Sequence, residues 1–136
     1  MSRSLRFACQ QGCIDCCNTR GYVYLTDEDL RNAAGFLSLS AAEFERRYVY
    51  RTRHLLRLRK PRDKQCPFLS AQGCLIHSVK PTQCRLYPFW PEIVERAVDW
   101  RAESARCRGI GKGRVIQIGT AIEAANQMRV AYPTMY

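Results

Sequence analysis

Apolar and polar positions change period several times along the chain, and each change marks a structural element. Gly21-Tyr22-Val23-Tyr24-Leu25 concentrates aromatic and β-branched residues and predicts a short strand. Thr26 then opens a Thr-x-x-Asp capping pattern, with acids at positions 27 to 29 suited to a helix N-terminus, and the helix should end near Gly35. Ser40-Ala41-Ala42-Glu43 reads as a full capping box. The helix it opens should place Phe44, Tyr48 and Arg51 on one face, at spacings of four and three. His54 to Lys60 partly alternates and predicts a strand ending at Pro61. Val115-Ile116-Gln117-Ile118 predicts another. From Thr120 onward, Ala121, Ile122, Ala125, Met128 and Arg129 follow a helical spacing, with Pro133 just past its expected end.

Cysteine placement gives this pattern its centre. The chain has 136 residues and eight cysteines. Cys9, Cys13, Cys16 and Cys17 fall within nine residues; Cys66, Cys74, Cys84 and Cys107 follow after a cysteine-free stretch from Gly21 to Lys60, which reads as scaffold. No apolar run approaches the roughly 20 residues needed to span a bilayer, so no membrane partner is expected. The basic N-terminus, Met1 to Phe7, lacks the apolar core of a secretory signal. A reducing cytoplasm is therefore the expected location, and eight cysteines there point to metal or redox chemistry rather than disulfides. The reading is a small, irregular α+β domain, single over residues 1–136, organised around a cysteine-ligated metal centre.

Closely spaced cysteines let one loop present several sulfurs to one ion or cluster at small entropic cost. Thiolate is a soft ligand suited to zinc, copper(I) and iron–sulfur clusters. The adjacent pair Cys16-Cys17 cannot easily share a mononuclear site, because neighbouring side chains diverge; a multi-iron cluster or two nearby sites accommodates it better. Cys66-Pro67-Phe68-Leu69 and Cys84-Arg85-Leu86-Tyr87-Pro88-Phe89-Trp90-Pro91 set proline and apolar residues beside the thiols, where they form either a water-excluding wall or an ordinary loop-rich core. Gly12 and Gly73 each precede a cysteine and permit tight turns. His77 stands in a Cys74-x2-His77 spacing compatible with zinc, although a lone histidine is more often structural. Gly109-Ile110-Gly111-Lys112-Gly113 fails the phosphate-loop pattern and reads as a tight turn near Cys107.

Lysine and arginine number 22 against 12 acids, a formal charge of +10. Two tetrathiolate centres of charge −2 would leave about +6, and one about +8. A basic surface suits nucleic acid or an acidic protein partner. Arg46, Arg47, Arg51, Arg53, Arg57 and Arg59 are candidates for a nucleic-acid face, or else the wet sides of a helix and a strand.

Phe7-Ala8-Cys9, Cys13, Cys16-Cys17, Cys66-Pro67-Phe68-Leu69, Gly73-Cys74-Leu75-Ile76 and Lys80-Pro81-Thr82-Gln83-Cys84-Arg85-Leu86-Tyr87-Pro88-Phe89 together resemble the CxxCxxCC, or YkgJ-type, cysteine-cluster proteins, described as zinc- or iron-chelating domains. The resemblance runs from about residue 7 to 113. Two departures stand out: the first gap is three residues rather than two, and Arg108 follows Cys107 where the motif often has proline. A similar cysteine pattern in flagellin lysine methylases, linked to an iron–sulfur cluster, favours 4Fe-4S over zinc here. It does not extend to methylase activity, since this short chain has no glycine-rich nucleotide-binding unit.

The implied function is a metal-binding redox, docking or accessory module with an unidentified protein partner. The alternatives are a metal-dependent enzyme modifying a protein or RNA, and a zinc-structured nucleic-acid binder. Cys9, Cys13, Cys16, Cys17, Cys66, Cys74, Cys84 and Cys107 are the expected metal ligands. Cys107, 23 positions beyond Cys84, is expected to contribute least. No Ser-His-Asp set or His-Glu-x-x-His motif is present.

Overall fold

The computed structural model describes residues 4–9, 22–60, 66–70 and 73–136. Helices and short strands alternate in an α+β arrangement, as the sequence pattern predicts. The elements are β1 (Ser4–Phe7), β2 (Tyr24–Leu25), α1 (Asp27–Phe36), α2 (Ala41–Tyr48), β3 (Val49–Arg51), β4 (Leu56–Leu58), β5 (Leu69–Ser70) and β6 (Gly73–Cys74). A 3-10 turn at His77–Val79 leads to α3 (Thr82–Leu86), α4 (Pro91–Val94), α5 (Ala97–Glu103), β7 (Ile110–Gln117) and α6 (Ile118–Ala131).

Local chemistry explains the helix starts. Thr26 Oγ1 accepts the Asp29 N–H at 3.0 Å and Asp29 Oδ2 accepts the Thr26 N–H at 3.0 Å, closing the capping box that opens α1. The box expected at Ser40 is made on one side: Ser40 Oγ accepts the Glu43 N–H at 3.1 Å, but the Glu43 carboxylate is held by Arg46 and Arg47 at 2.5 and 2.7 Å. Those guanidiniums lower the Glu43 pKa, Arg46 more than Arg47. Arg51 is not on the face of α2, as the spacing predicted. The helix stops at Tyr48, the β-branched Val49 turns extended, and Arg51 leaves on β3 to pair with Glu45 at 2.7 Å.

β2, β4 and β3 form an antiparallel sheet in that order, with Tyr24 and Tyr50 both opposite Arg57. Leu25, Val49, Leu56 and Leu58 are buried and pack with Leu30, Ala33 and Ala34 of α1 and Phe44 of α2. Phe44 is completely buried, its ring stacked on Phe68 at 6.0 Å and tilted against Tyr48 at 5.2 Å.

The second sheet joins chain ends. β1 pairs antiparallel with β7, from Ser4↔Gln117 to Arg6↔Val115, and then the register jumps to Phe7↔Ile110. Residues 111–114 bulge from the ladder, and the left-handed backbone of Gly111 (φ 88°) and Gly113 (φ 76°) permits it. Arg6 donates to the Gly113 carbonyl at 3.0 Å and fastens the bulge. The glycine run is therefore mostly a bulge within a strand. Only Gly109 belongs to the turn beside Cys107. The terminal helix begins at Ile118, two residues before the expected Thr120, which shortens the strand predicted at Val115 to Ile118 by its last residue.

Leu5, Tyr87, Ile93, Val94, Trp100, Cys107, Ala121 and Ala125 form a further core between β1, α4, α5 and α6. Leu86, Met128 and Tyr132 form a smaller one. Short α3 lies where the three meet, contributing Cys84 to the first, Leu86 to the smallest and, one residue past its end, Tyr87 to the other. Among the described residues no helix is long and apolar enough to cross a membrane.

Candidate metal centre

Four described cysteines are set into the body of the fold. Cys66 enters the β5–β6 hairpin and is 4% exposed. Cys74 lies on β6 opposite Leu69 and is half-buried. The Leu75 N–H donates to the Phe68 carbonyl at 2.8 Å, so the two arms of the hairpin carry Cys66 and Cys74. Cys84, also buried, is the middle residue of α3. All three pack into or against the core built on Phe44.

Cys107 lies in the other large core, 3% exposed, just after α5, and its N–H donates to the Glu103 carbonyl at 2.9 Å. Cys9 is exposed and follows β1. The Ala8 N–H donates to the Gly109 carbonyl at 3.1 Å, so the Cys9 end of β1 runs against the Cys107–Gly109 turn. Glycine is needed at 109: a Cβ there would lie 2.4 Å from the Ala8 carbonyl oxygen and 2.9 Å from the Phe7 ring. Cys13, Cys16, Cys17 and Gly12 lie outside the described residues. Among the described residues no three Cys, His, Asp or Glu side chains converge as a ligand set. His77 is exposed and lines a polar cleft with Lys80, Arg85 and Glu28.

A buried polar network holds the Cys84 helix in place. Asp29, 7% exposed, accepts the Thr82 N–H through Oδ2 at 2.9 Å and the Thr82 hydroxyl through Oδ1 at 2.9 Å. Tyr132, 1% exposed, accepts the Gln83 N–H at 3.0 Å and donates to the Tyr24 carbonyl at 2.8 Å. Burial raises the Tyr132 pKa above its ordinary 10.0, and the Asp29 charge adds to the rise. Gln83 Oε1 accepts the Tyr24 N–H at 2.9 Å, and the Gln83 carbonyl accepts the Trp90 indole N–H at 2.9 Å. The residues just before Cys84 are thus tied to α1, β2, α4 and the end of α6. Sequence reading saw Asp29 only as a helix cap and gave Tyr132 no role. The Thr-x-x-Asp pattern signals the cap, and nothing local signals the long-range bond to Thr82.

The donor set fits a thiophilic metal. Every described candidate is a thiol, and Cys66, Cys84 and Cys107 are shielded from water among apolar and aromatic side chains. Residues 8–108 match the CxxCxxCC family, described as a "putative zinc- or iron-chelating domain". The chain belongs to this family. Its matched span takes in all eight cysteines, from Cys9 to Cys107, and stops one residue past the last of them. Helix α6 lies beyond the CxxCxxCC span, yet it packs on α3 and α4. No solved structure matches the chain.

Proposed function

We propose that this CxxCxxCC protein holds a cysteine-ligated iron–sulfur centre, of the 4Fe-4S type in preference to zinc, and works in a reducing cytoplasm as a redox, docking or accessory module. The observation that carries the reading is the pairing of β1 with β7. It sets the Cys9 end of β1 beside the Cys107–Gly109 turn, so two thiol positions nearly a hundred residues apart in sequence lie on neighbouring backbone, which supports a centre shared by both cysteine-rich regions. Cys66, Cys74 and Cys84 supply thiols from the neighbouring core, and Cys13, Cys16 and Cys17 complete the proposed set.

A cluster so held supplies one-electron chemistry over a range of potentials set by its surroundings. The chain's own contribution is to orient and to exclude water. The two arms of the β5–β6 hairpin carry Cys66 and Cys74, and Asp29 and Tyr132 fix the start of the helix that carries Cys84. The seating of Cys107 argues for a full ligand role, more than its distance along the sequence suggests.

Serine replacement of each cysteine in turn, with bound metal measured per chain, tests the reading. Loss at Cys9, Cys13, Cys16, Cys17, Cys66, Cys74, Cys84 and Cys107 is expected. Metal that survives all four N-terminal replacements would assign those thiols to redox or catalytic work instead.

A further inference from the structure

We propose that the outward face of the β2–β4–β3 sheet is a docking surface for single-stranded nucleic acid. The register sets Arg57 beside Tyr50 on the side opposite the buried Leu56 and Leu58, while Tyr24, on the far side of Arg57, packs on the core of Leu86, Met128 and Tyr132 and bounds the open part of the face. The Arg57 guanidinium lies 3.9 Å from the Tyr22 ring centroid and 4.7 Å from that of Tyr50. Lys60 Nζ lies 4.9 Å from the Tyr22 ring. Tyr22 is 38% exposed and Tyr50 50% exposed, so two aromatic rings and two cations share an open surface.

The other arginines that sequence reading grouped with Arg57 are mostly spent. Arg46 and Arg47 pair with Glu43, Arg51 with Glu45, and Arg59 donates to the Val49 carbonyl. Among the described residues Arg57, Lys60 and the exposed Arg53 at the β3–β4 turn have no carboxylate partner. The charge on this face therefore remains available to an anion from outside, on a chain carrying +10.

Cations alone would suit any acidic partner. Half-exposed tyrosines beside them select further, because bases stack on aromatic rings and on guanidinium planes while phosphates meet the cations. An acidic protein segment has no comparable use for Tyr50. This inference stands apart from the metal-centre reading.

The test is fluorescence anisotropy of the full chain as purified, titrated into labelled oligouridine and oligothymidine of about 12 nucleotides, within the site size of single-strand binders. Binding to both is expected, weakening as salt rises. Lys60→Gln should lower the log–log salt slope by about 0.7, one phosphate contact on a single strand. Tyr50→Ala should weaken binding about tenfold through lost stacking, and Tyr50→Phe should restore it. Circular dichroism checks that each variant is folded. Three results would overturn the proposal: no binding at low salt, binding unchanged by Tyr50→Ala and Lys60→Gln, or competition by polyglutamate equal to that of unlabelled oligonucleotide at matched charge. The last would assign the face to an acidic protein.

Discussion

Replacing Tyr132 by Phe isolates one hydroxyl in the network that seats Cys84. The ring is 1% exposed and would stay in place, so no cavity opens. Two backbone groups lose their partner: the Gln83 N–H, 3.0 Å from the hydroxyl, and the Tyr24 carbonyl, 2.8 Å from it. Each stranded buried group costs about 1–3 kcal/mol, partly offset because the hydroxyl no longer has to be desolvated. A net loss of about 2 kcal/mol follows, which for a chain of this size is a drop in melting temperature of roughly 6–10 °C. Differential scanning calorimetry of the metal-loaded protein reads this directly, with Tyr136→Phe as the control. That hydroxyl also bonds a partner, Glu92 at 2.9 Å, but at an exposed site, and its loss should be nearly silent. A second readout is metal release to a chelator, which should quicken in Tyr132→Phe as the Cys84 helix loosens. A melting temperature equal to wild type, with unchanged release, would refute the reasoning.

High pH tests the same hydroxyl. Folding keeps Tyr132 neutral beyond its ordinary 10.0 while the unfolded chain ionises there, so its stabilising contribution is complete below pH 10 and is lost as pH rises further; the stability gap between wild type and Tyr132→Phe should narrow above that point in urea titrations. Gly109→Ala should cost roughly 1–3 kcal/mol by overpacking against the Ala8 carbonyl, whereas Gly35→Ala, with nothing within 4 Å of the new Cβ, should gain about 0.5–1 kcal/mol through helix propensity; the urea midpoints of the pair check the contrast. Phe44→Ala removes a fully buried ring between Phe68 and Tyr48 and should cost about 3–5 kcal/mol in the same assay.

The parts of the fold legible in sequence were those whose signal is local. Thr26 with Asp29, and Ser40 with Glu43, announce helix starts within four residues. The alternation around Leu56 and Leu58 announces a strand, and the spacing from Ala121 to Met128 a helix. Short α3, α4 and α5 escaped because five-, four- and seven-residue helices barely complete a period, and proline and aromatic residues around them obscure what remains. β1 and β7 pair across more than a hundred residues, and their register jump depends on positive-φ glycines that look like a loop in sequence. The candidate cysteine set was legible as family chemistry, the matched span covering it. Its supports were not: the Asp29–Thr82 and Tyr132–Gln83 bonds span 53 and 49 positions and carry no local signature. Spacing along the chain likewise says nothing of the Cys107–Gly109 turn lying against the Cys9 end of β1.

The most direct test of a cysteine-held iron–sulfur centre is the iron, sulfide and zinc content of the full chain purified without oxygen, with its absorption spectrum taken on the same sample. A brown protein absorbing at about 400 nm, with about four iron and four sulfide per cluster, is expected. A colourless protein carrying stoichiometric zinc would contradict the choice of iron, and one that binds neither metal would contradict the centre itself.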